Sequence, residues 1–210
     1  MQHTKIYQQQ QLPHAEIPLV VEGPVAAEYL EGLQLHEQLD AFRRPREQHE
    51  ALMEIAALPE GRVIIARTDS TIVGYVTFHY PDELERWSEA NMDDLLELGA
   101  IEVASDYRST GIGRALIQTG FREGQLDDYI VYTTEYYWHW DLQGSKLSVW
   151  DYRRMMEQLM KCVGMVWYAT DDPEICSHPA NCLMVRVGPN VSLSSEEAFD
   201  RVRFQRRKMY

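Results

Sequence analysis

Seven residues in the middle of the chain have the types and spacing needed to grip a phosphate group. Arg108-Ser109-Thr110-Gly111-Ile112-Gly113-Arg114 follows a strand-like run, Leu96 to Val103, and leads straight into a helical one. The glycines let the backbone turn tightly and leave consecutive N–H groups pointing outward. The positive end of the following helix favours an anion at the same place. Arg108 and Arg114 add guanidinium groups, the better cation for phosphate oxygens. The order is Arg-x-x-Gly-x-Gly, deep in the chain. It is neither the G-x-G-x-x-G of a dinucleotide site nor a P-loop, since no Gly-Lys-Ser/Thr follows. Spacing alone therefore places a phosphate-bearing ligand at a strand–loop–helix corner.

Two further groupings stand out. Cys176, His178 and Cys182 lie within seven residues, but not at zinc-finger spacing and without an evident fourth ligand, so no metal site is assigned. Acyl transfer through Cys176 or Cys182 is the weaker enzymatic idea, because no companion His-Asp order supports it. His178, between Ser177 and Pro179, reads as a substrate-side residue or as a loop histidine satisfied by backbone. Tyr136-Tyr-Trp138-His-Trp140, followed by Trp150, is dense enough in aromatics for a pocket wall or partner surface. It is equally suited to covering one end of the core.

The elements that must position these residues follow from periodicity and punctuation. Ile17 to Gly23 reads as a first strand closed by Gly23-Pro24. Ala26 to Leu58 reads helical, and Pro45 divides it into two helices near Arg43 to Arg46. Arg62–Arg67 and Thr71–Tyr80 are β-rich runs around Thr68-Asp69-Ser70, a hairpin signal. Pro81 to Asp94 is a polar excursion containing Trp87. After the central strand, loop and helix come a strand over Asp127–Thr134 and an amphipathic helix over Val149–Met160. That helix carries Tyr152, Met155, Met156, Leu159 and Met160 on one face, read as core filling. Met165–Thr170 and Cys182–Val187 read as strands. Ser194-Ser-Glu-Glu197 is a capping box opening a C-terminal helix with Arg201, Arg203, Arg206, Arg207 and Lys208, a basic face suited to CoA phosphates or an acidic partner but more often simply exposed to solvent. This mixed order with one βαβ step implies an α/β sheet covered by helices. The expected domains are an N-terminal tail, 1–15, that is frayed or an edge strand; a main domain, 16–190; and the C-terminal basic helix, 191–210, packed on it.

The 210 residues suit one domain with an extension, and 45% hydrophobic content suits a globular chain. A formal net charge of −13 repels nucleic acid, so no nucleic-acid partner is expected. Three cysteines form no disulfide framework and fit a reducing cytoplasm. The N-terminus lacks a signal-peptide apolar region and no run is long enough to span a bilayer, so a cytoplasmic location without membrane association is expected. The oligomeric state stays open.

The central stretch resembles the acetyl-CoA signature of the GNAT N-acetyltransferase family, Gln/Arg-x-x-Gly-x-Gly/Ala at the join of strand and helix. Arg108, Gly111 and Gly113 match it residue for residue, and Val103-Ala-Ser-Asp-Tyr-Arg matches the approach. The element order is also that of the family, from about Glu16 to Gly188. The resemblance implies the GNAT fold, a mixed central sheet with a splayed central strand pair flanked by helices. It implies acetyl-CoA as acetyl donor, beside the absence of a metal already expected from the cysteine and histidine spacing. Loop residues Arg108 to Arg114 would hold the pyrophosphate, and strand backbone near Ile101, Glu102 and Val103 would pair with the pantetheine arm.

Three further segments, Glu85–Glu89, Glu135–Asp141 and Asp172–Cys182, resemble the acetoin-utilisation branch of the family. That resemblance implies acetylation, and so inactivation, of a lysine on acetyl-CoA synthetase. An amine must lose a proton before it attacks a thioester, and a carboxylate of raised pKa can accept it. Glu97 lies where a related branch carries its base and Glu102 beside the expected thioester; the two rank level, with Glu135 third. Strand alternation puts Glu97 and Glu102 on opposite faces unless a bulge intervenes. Trp138, Trp140 and His178 are the expected substrate-side residues. The position of the family's tyrosine acid holds Met160, leaving Tyr152, Tyr168 or unaided thiolate departure. Two other readings compete. One is acetylation of a small amine, which an acidic protein suits. The other is a non-enzymatic acyl-CoA sensor that inhibits a partner by binding.

Overall fold

A computed structural model describes residues 2–13 and 18–205. Its contacts divide into two compact units, and one strand passes from one unit into the other.

The first unit comprises residues up to His79 together with Leu98–Gln125. It contains β1 (Gln8–Leu12), β2 (Leu19–Gly23), α1 (Ala27–Glu31), β3 (Gln34–Leu35), α2 (Pro45–Ala57), β4 (Arg62–Thr68) and β5 (Thr71–His79). The second half of β6 (Leu95–Val103) and α3 (Ile112–Phe121) complete it. β1, β2, β4 and β5 are antiparallel neighbours, β6 lies beside β5, and β3 adds to β5 in parallel. The expected hairpin forms, turning at Asp69 and pairing Thr68 with Thr71. Val63, Ile65, Ile72 and Tyr75 pack with Leu30, Leu39 and Leu52 of the α1–α2 segment. Ile64 and Phe78 pack against α3. Gly120 makes that packing close, because a Cβ there would stand 2.7 Å from the Phe78 ring. Gln8–Leu12, left open as tail or edge strand, is an edge strand.

The sequence reading needs one correction here. The first of the two expected helices is only five residues long. Gly32 ends it, and the chain turns extended as Gln34 and His36 donate to Ser70 and Ile72 carbonyls at 2.8 and 2.9 Å. Pro45 does not interrupt a helix; it starts α2, where its missing N–H is not needed. The expected Ile17 start of the first strand lies outside the described residues.

The second unit comprises Tyr80–Glu97 and the chain from Leu126 onward. After the first half of β6 come β7 (Ile130–Glu135), α4 (Leu142–Ser145), α5 (Val149–Lys161), β8 (Val166–Tyr168), α6 (Pro173–Cys176), β9 (Cys182–Val187) and α7 (Leu193–Arg203). β6 and β7 run parallel, but their pairing covers only Leu95–Glu97 against Ile130–Tyr132. β7 is antiparallel to β9 along its whole length, and β8 closes the other side of β9. The core is aromatic. Trp87, from a 3-10 turn in the polar excursion, lies 5.0 Å from the Tyr132 ring and 5.8 Å from Phe199 of α7.

Three expectations change in this unit. The α7 cap is Ser192, whose side chain accepts from the Ser195 N–H, not Ser194. Arg203 is no solvated cation: its guanidinium bonds Asp200 and the Ala169 carbonyl and covers the Tyr168 ring at 4.9 Å. Arg206, Arg207 and Lys208 lie outside the described residues. Of the α5 stripe Met160 is fully buried, Tyr152, Met156 and Leu159 are half-buried, and Met155 is 42% exposed, so the core-filling reading fails at Met155 and holds fully only at Met160. No described helix is long and apolar enough to cross a membrane.

Candidate active site

The phosphate-type loop is built from the backbone. A short 3-10 turn, Ser105–Tyr107, follows β6, and Gly111 caps α3 with φ of +87°. Ser109 also has positive φ, +63°. Such conformations turn N–H groups to one side of the chain. Among the described residues, no N–H from Ser109 to Gly113 donates to a protein acceptor, and a Cβ at Gly111 would meet nothing within 4 Å. The loop thus presents successive unpaired donors at the start of a ten-residue helix. Arg108 Nε donates to the Val103 carbonyl at 3.2 Å, and Thr110 Oγ1 to the Tyr107 carbonyl at 2.6 Å, which fixes the loop against the end of β6. Ile101 and Val103 are half-buried on that strand.

The three glutamates have different surroundings. Glu102, in the first unit, is 6% exposed and accepts from Tyr75 Oη at 2.7 Å and the Ala41 N–H at 2.8 Å. Burial raises its pKa, and those two donors offset part of the rise. Its position ties the 39–41 segment to β6. Glu97, in the second unit, is half-buried and pushed up to about 8, first by burial and then by Glu85 and Asp82, with an opposing effect from the Tyr132 hydroxyl. Glu135, also in the second unit, is 8% exposed and pushed up to about 7 by burial, offset by a 3.0 Å hydrogen bond from Trp140 Nε1.

The substrate-side candidates gather in the second unit. Trp140 stacks on Tyr152 at 5.2 Å, and Trp138, 48% exposed, stacks on Tyr136 at 4.8 Å. His178 packs on Tyr137 at 4.2 Å and on Trp150 at 6.4 Å, and its Nδ1 accepts from the Ala180 N–H at 3.1 Å. It lines a 390 Å³ groove with Arg153, Trp167, Ile175 and Cys176. The backbone holds His178, and the residue also lines this groove.

Cysteine chemistry loses ground. Cys182 is 2% exposed and pushed up to about 12 by burial, then by Glu135, which disfavours a thiolate. Among the described residues, no three His, Cys, Asp or Glu side chains are placed to hold a metal ion. Tyr168, one of the two proposed acids, packs in the core against Phe199 with Arg203 over its ring. Tyr132 was missed by the sequence reading. Its ring is fully buried in register with Glu97, and its hydroxyl interacts with the Glu97 carboxyl. Glu85 and Asp82 were missed with it. The available signal was Trp87: a large ring inside a polar excursion marks a segment that docks.

Comparison with known proteins fits this construction. The sequence profile of the acetyltransferase (GNAT) family matches residues 32–135. The chain belongs to the GNAT acetyltransferase family, whose members use acetyl-CoA as donor. Within that family it is 60% identical to the acetoin utilization protein AcuA of Bacillus subtilis strain 168, over 210 residues covering all of both chains. It is 55% identical, again over full lengths, to AcuA of Bacillus licheniformis. A crystal structure of an acetoin utilization protein from Exiguobacterium sibiricum 255-15 superposes with a TM-score of 0.94, at 52% identity and 97% coverage of each chain.

Proposed function

We propose that this protein serves acetoin utilisation by transferring the acetyl group of acetyl-CoA to a lysine of acetyl-CoA synthetase, which switches the synthetase off. The observation that carries the donor half is the run of N–H groups at Ser109–Gly113 that meet no protein acceptor where α3 begins. In a strongly acidic chain, this loop and its two arginines supply the positive ground that the CoA phosphates need. Backbone at Ile101–Val103 is the natural seat for the pantetheine arm that follows.

The acceptor half rests on the second unit. Trp138, Trp150 and Trp167 are each about half exposed, at 48%, 52% and 55%, beside the His178 groove. Exposed aromatics on this scale suit a protein acceptor better than a small amine. They support a protein substrate, and the names of the relatives support a role in acetoin utilisation.

Catalysis then has three parts. Loop and helix dipole hold the donor by its phosphates. A carboxylate removes the amine's proton, and the amine attacks the thioester carbonyl in a ternary complex. The C–S bond breaks and CoA leaves as thiolate. Of the three glutamates, Glu97 best suits the base, because its pKa of about 8 matches a proton acceptor working near neutral pH. Glu102 is held by two donors in a structural position, and Glu135 by Trp140.

Peptide mapping tests this reading. Acetyl-CoA synthetase incubated with the protein and acetyl-CoA is expected to yield one acetyl-lysine peptide. CoA release with polyamines but never with the synthetase would move the acceptor to a small amine.

A further inference from the structure

The His178 groove has a lining whose chemistry neither the donor loop nor the three glutamates use. It lies beside β8, the last strand of the sheet, whose outer edge has no strand partner among the described residues. Trp167 of that strand, 55% exposed, lines the groove with Ile175 and Pro179, and the three make an apolar wall. The chain carries 33 acidic residues, yet no carboxylate lines this groove. The acids of the neighbouring α6 segment are engaged elsewhere. Asp172 caps α6 and pairs with Arg86, Asp171 bonds Arg86, and the charge of Glu174 acts on Glu85.

Two donors in the lining are left over. Nδ1 of His178 accepts from the Ala180 N–H, so the neutral ring carries its hydrogen on Nε2. That Nε2–H meets no protein acceptor among the described residues, and the ring is held against Tyr137 at 4.2 Å and Trp150 at 6.4 Å. Arg153 is fixed from two sides: Nε donates to Glu157 at 3.0 Å and Nη1 to the Pro179 carbonyl. Its Nη2 has no protein acceptor among the described residues. Arg153 and Lys161 share the one Glu157 carboxylate, which leaves a positive charge unmatched.

A carboxylate answers both the donors and the charge. A neutral amide would answer only the donors, and a cation would be repelled. The apolar wall calls for a hydrocarbon side chain beside that carboxylate. At 390 Å³ the groove has the volume of a small ligand site. Its rim, however, carries Trp150 and Trp167, each about half exposed, and exposed rings of this kind suit a protein segment better than a free metabolite. We infer that the groove docks a segment of the acceptor protein that bears a carboxylate beside an apolar side chain. The carboxylate sits on His178 Nε2 and Arg153 Nη2, and the apolar side chain lies against Trp167. This rests on the proposed protein acceptor for the partner, and on the groove alone for the chemistry recognised. His178, Arg153 and Trp167 select the acceptor and take no part in proton transfer.

Two capped dipeptides test the groove, N-acetyl-Phe-Glu-amide and N-acetyl-Phe-Gln-amide, which differ in charge and hardly in shape. NMR titration of the full-length protein reads both affinities at the Trp167 indole N–H, identified with Trp167→Phe. The Glu peptide should bind with a Kd of roughly 1 mM, and the Gln peptide roughly tenfold more weakly. His178→Asn keeps an acceptor for the Ala180 N–H but removes the Nε2–H. It should weaken the Glu peptide roughly tenfold and the Gln peptide far less. Trp167→Ala should weaken both. With acetyl-CoA synthetase as acceptor, His178→Asn and Trp167→Ala should each raise the KM for the synthetase at least roughly fivefold, with a smaller effect on kcat. No binding of either peptide, equal binding of the two, or a His178→Asn protein that keeps the preference for Glu would overturn the docking site. Failure of acetyl transfer to the synthetase would overturn the proposed acceptor, while the charge preference of the groove would stand.

Discussion

If Glu97 is the base, replacing it should change a pH profile, and the size of the change follows from its surroundings. A carboxyl with pKa about 8 is about ten parts protonated to one part ionised at pH 7. The base form therefore limits kcat/KM below pH 8, and activity at pH 7 should be about one-eleventh of its alkaline plateau. The acceptor amine also titrates, so the quantity to measure is the ratio of wild type to Glu97→Gln across pH 6 to 9.5. That ratio cancels the acceptor's own ionisation. CoA release, followed with a thiol reagent at low acceptor concentration, supplies it. The ratio should rise about tenfold per pH unit below 7.5 and level above 8.5. The same carboxyl makes a second, opposite prediction. Its pKa is higher folded than unfolded, so its contribution to stability is full below about pH 4.5 and is lost as pH rises toward 8. At pH 7 the loss is of order 3 kcal/mol at most, and Glu97→Gln should be more stable than wild type there, not less. A flat ratio, with Glu102→Gln giving the sloping one, would refute the assignment of the base.

Other consequences are separately measurable. Gly111→Trp places a side chain at a residue with φ +87° but open space around its Cβ position, so the fold should survive with a loss of about 1–2 kcal/mol. Its affinity for acetyl-CoA by calorimetry should fall at least roughly tenfold, because the indole covers the loop donors. Tyr75→Phe removes a 2.7 Å hydrogen bond from a buried carboxylate and should lower stability by about 1.5–3 kcal/mol in urea denaturation, while the carboxyl of Glu102 titrates still higher. In timed alkylation of the native protein, Cys176, which is exposed, should react well before Cys182, which is buried with a pKa near 12.

Much of the fold was legible because its signals are local. The hairpin showed as β-branched runs about Asp69, and α3 as a glycine loop followed by an apolar helix period. The loop donors follow from two glycines in known order. What local pattern hides is pairing over distance. Nothing near Gln34 announces that it will join Thr71 in parallel, so propensity extended a helix through it. Met155 and Met160 look alike in a periodic stripe, but only contact with the sheet tells which is buried. The candidate base was legible only as a choice of three. Glu97 and Glu102 are five residues apart on one strand, and burial, neighbouring carboxylates and hydroxyl partners separate them. Tyr132 matters because Trp87, forty-five residues earlier, lies on its ring.

Intact mass measurement of acetyl-CoA synthetase, with its ligase activity followed in the same samples, tests the central claim most directly. Incubated with this protein and acetyl-CoA, the synthetase should gain the mass of one acetyl group and lose activity in proportion, and neither should happen with Gly111→Trp. A synthetase that keeps its mass, or that is inhibited equally with no acetyl added, would contradict the account and leave a protein that acts by binding alone.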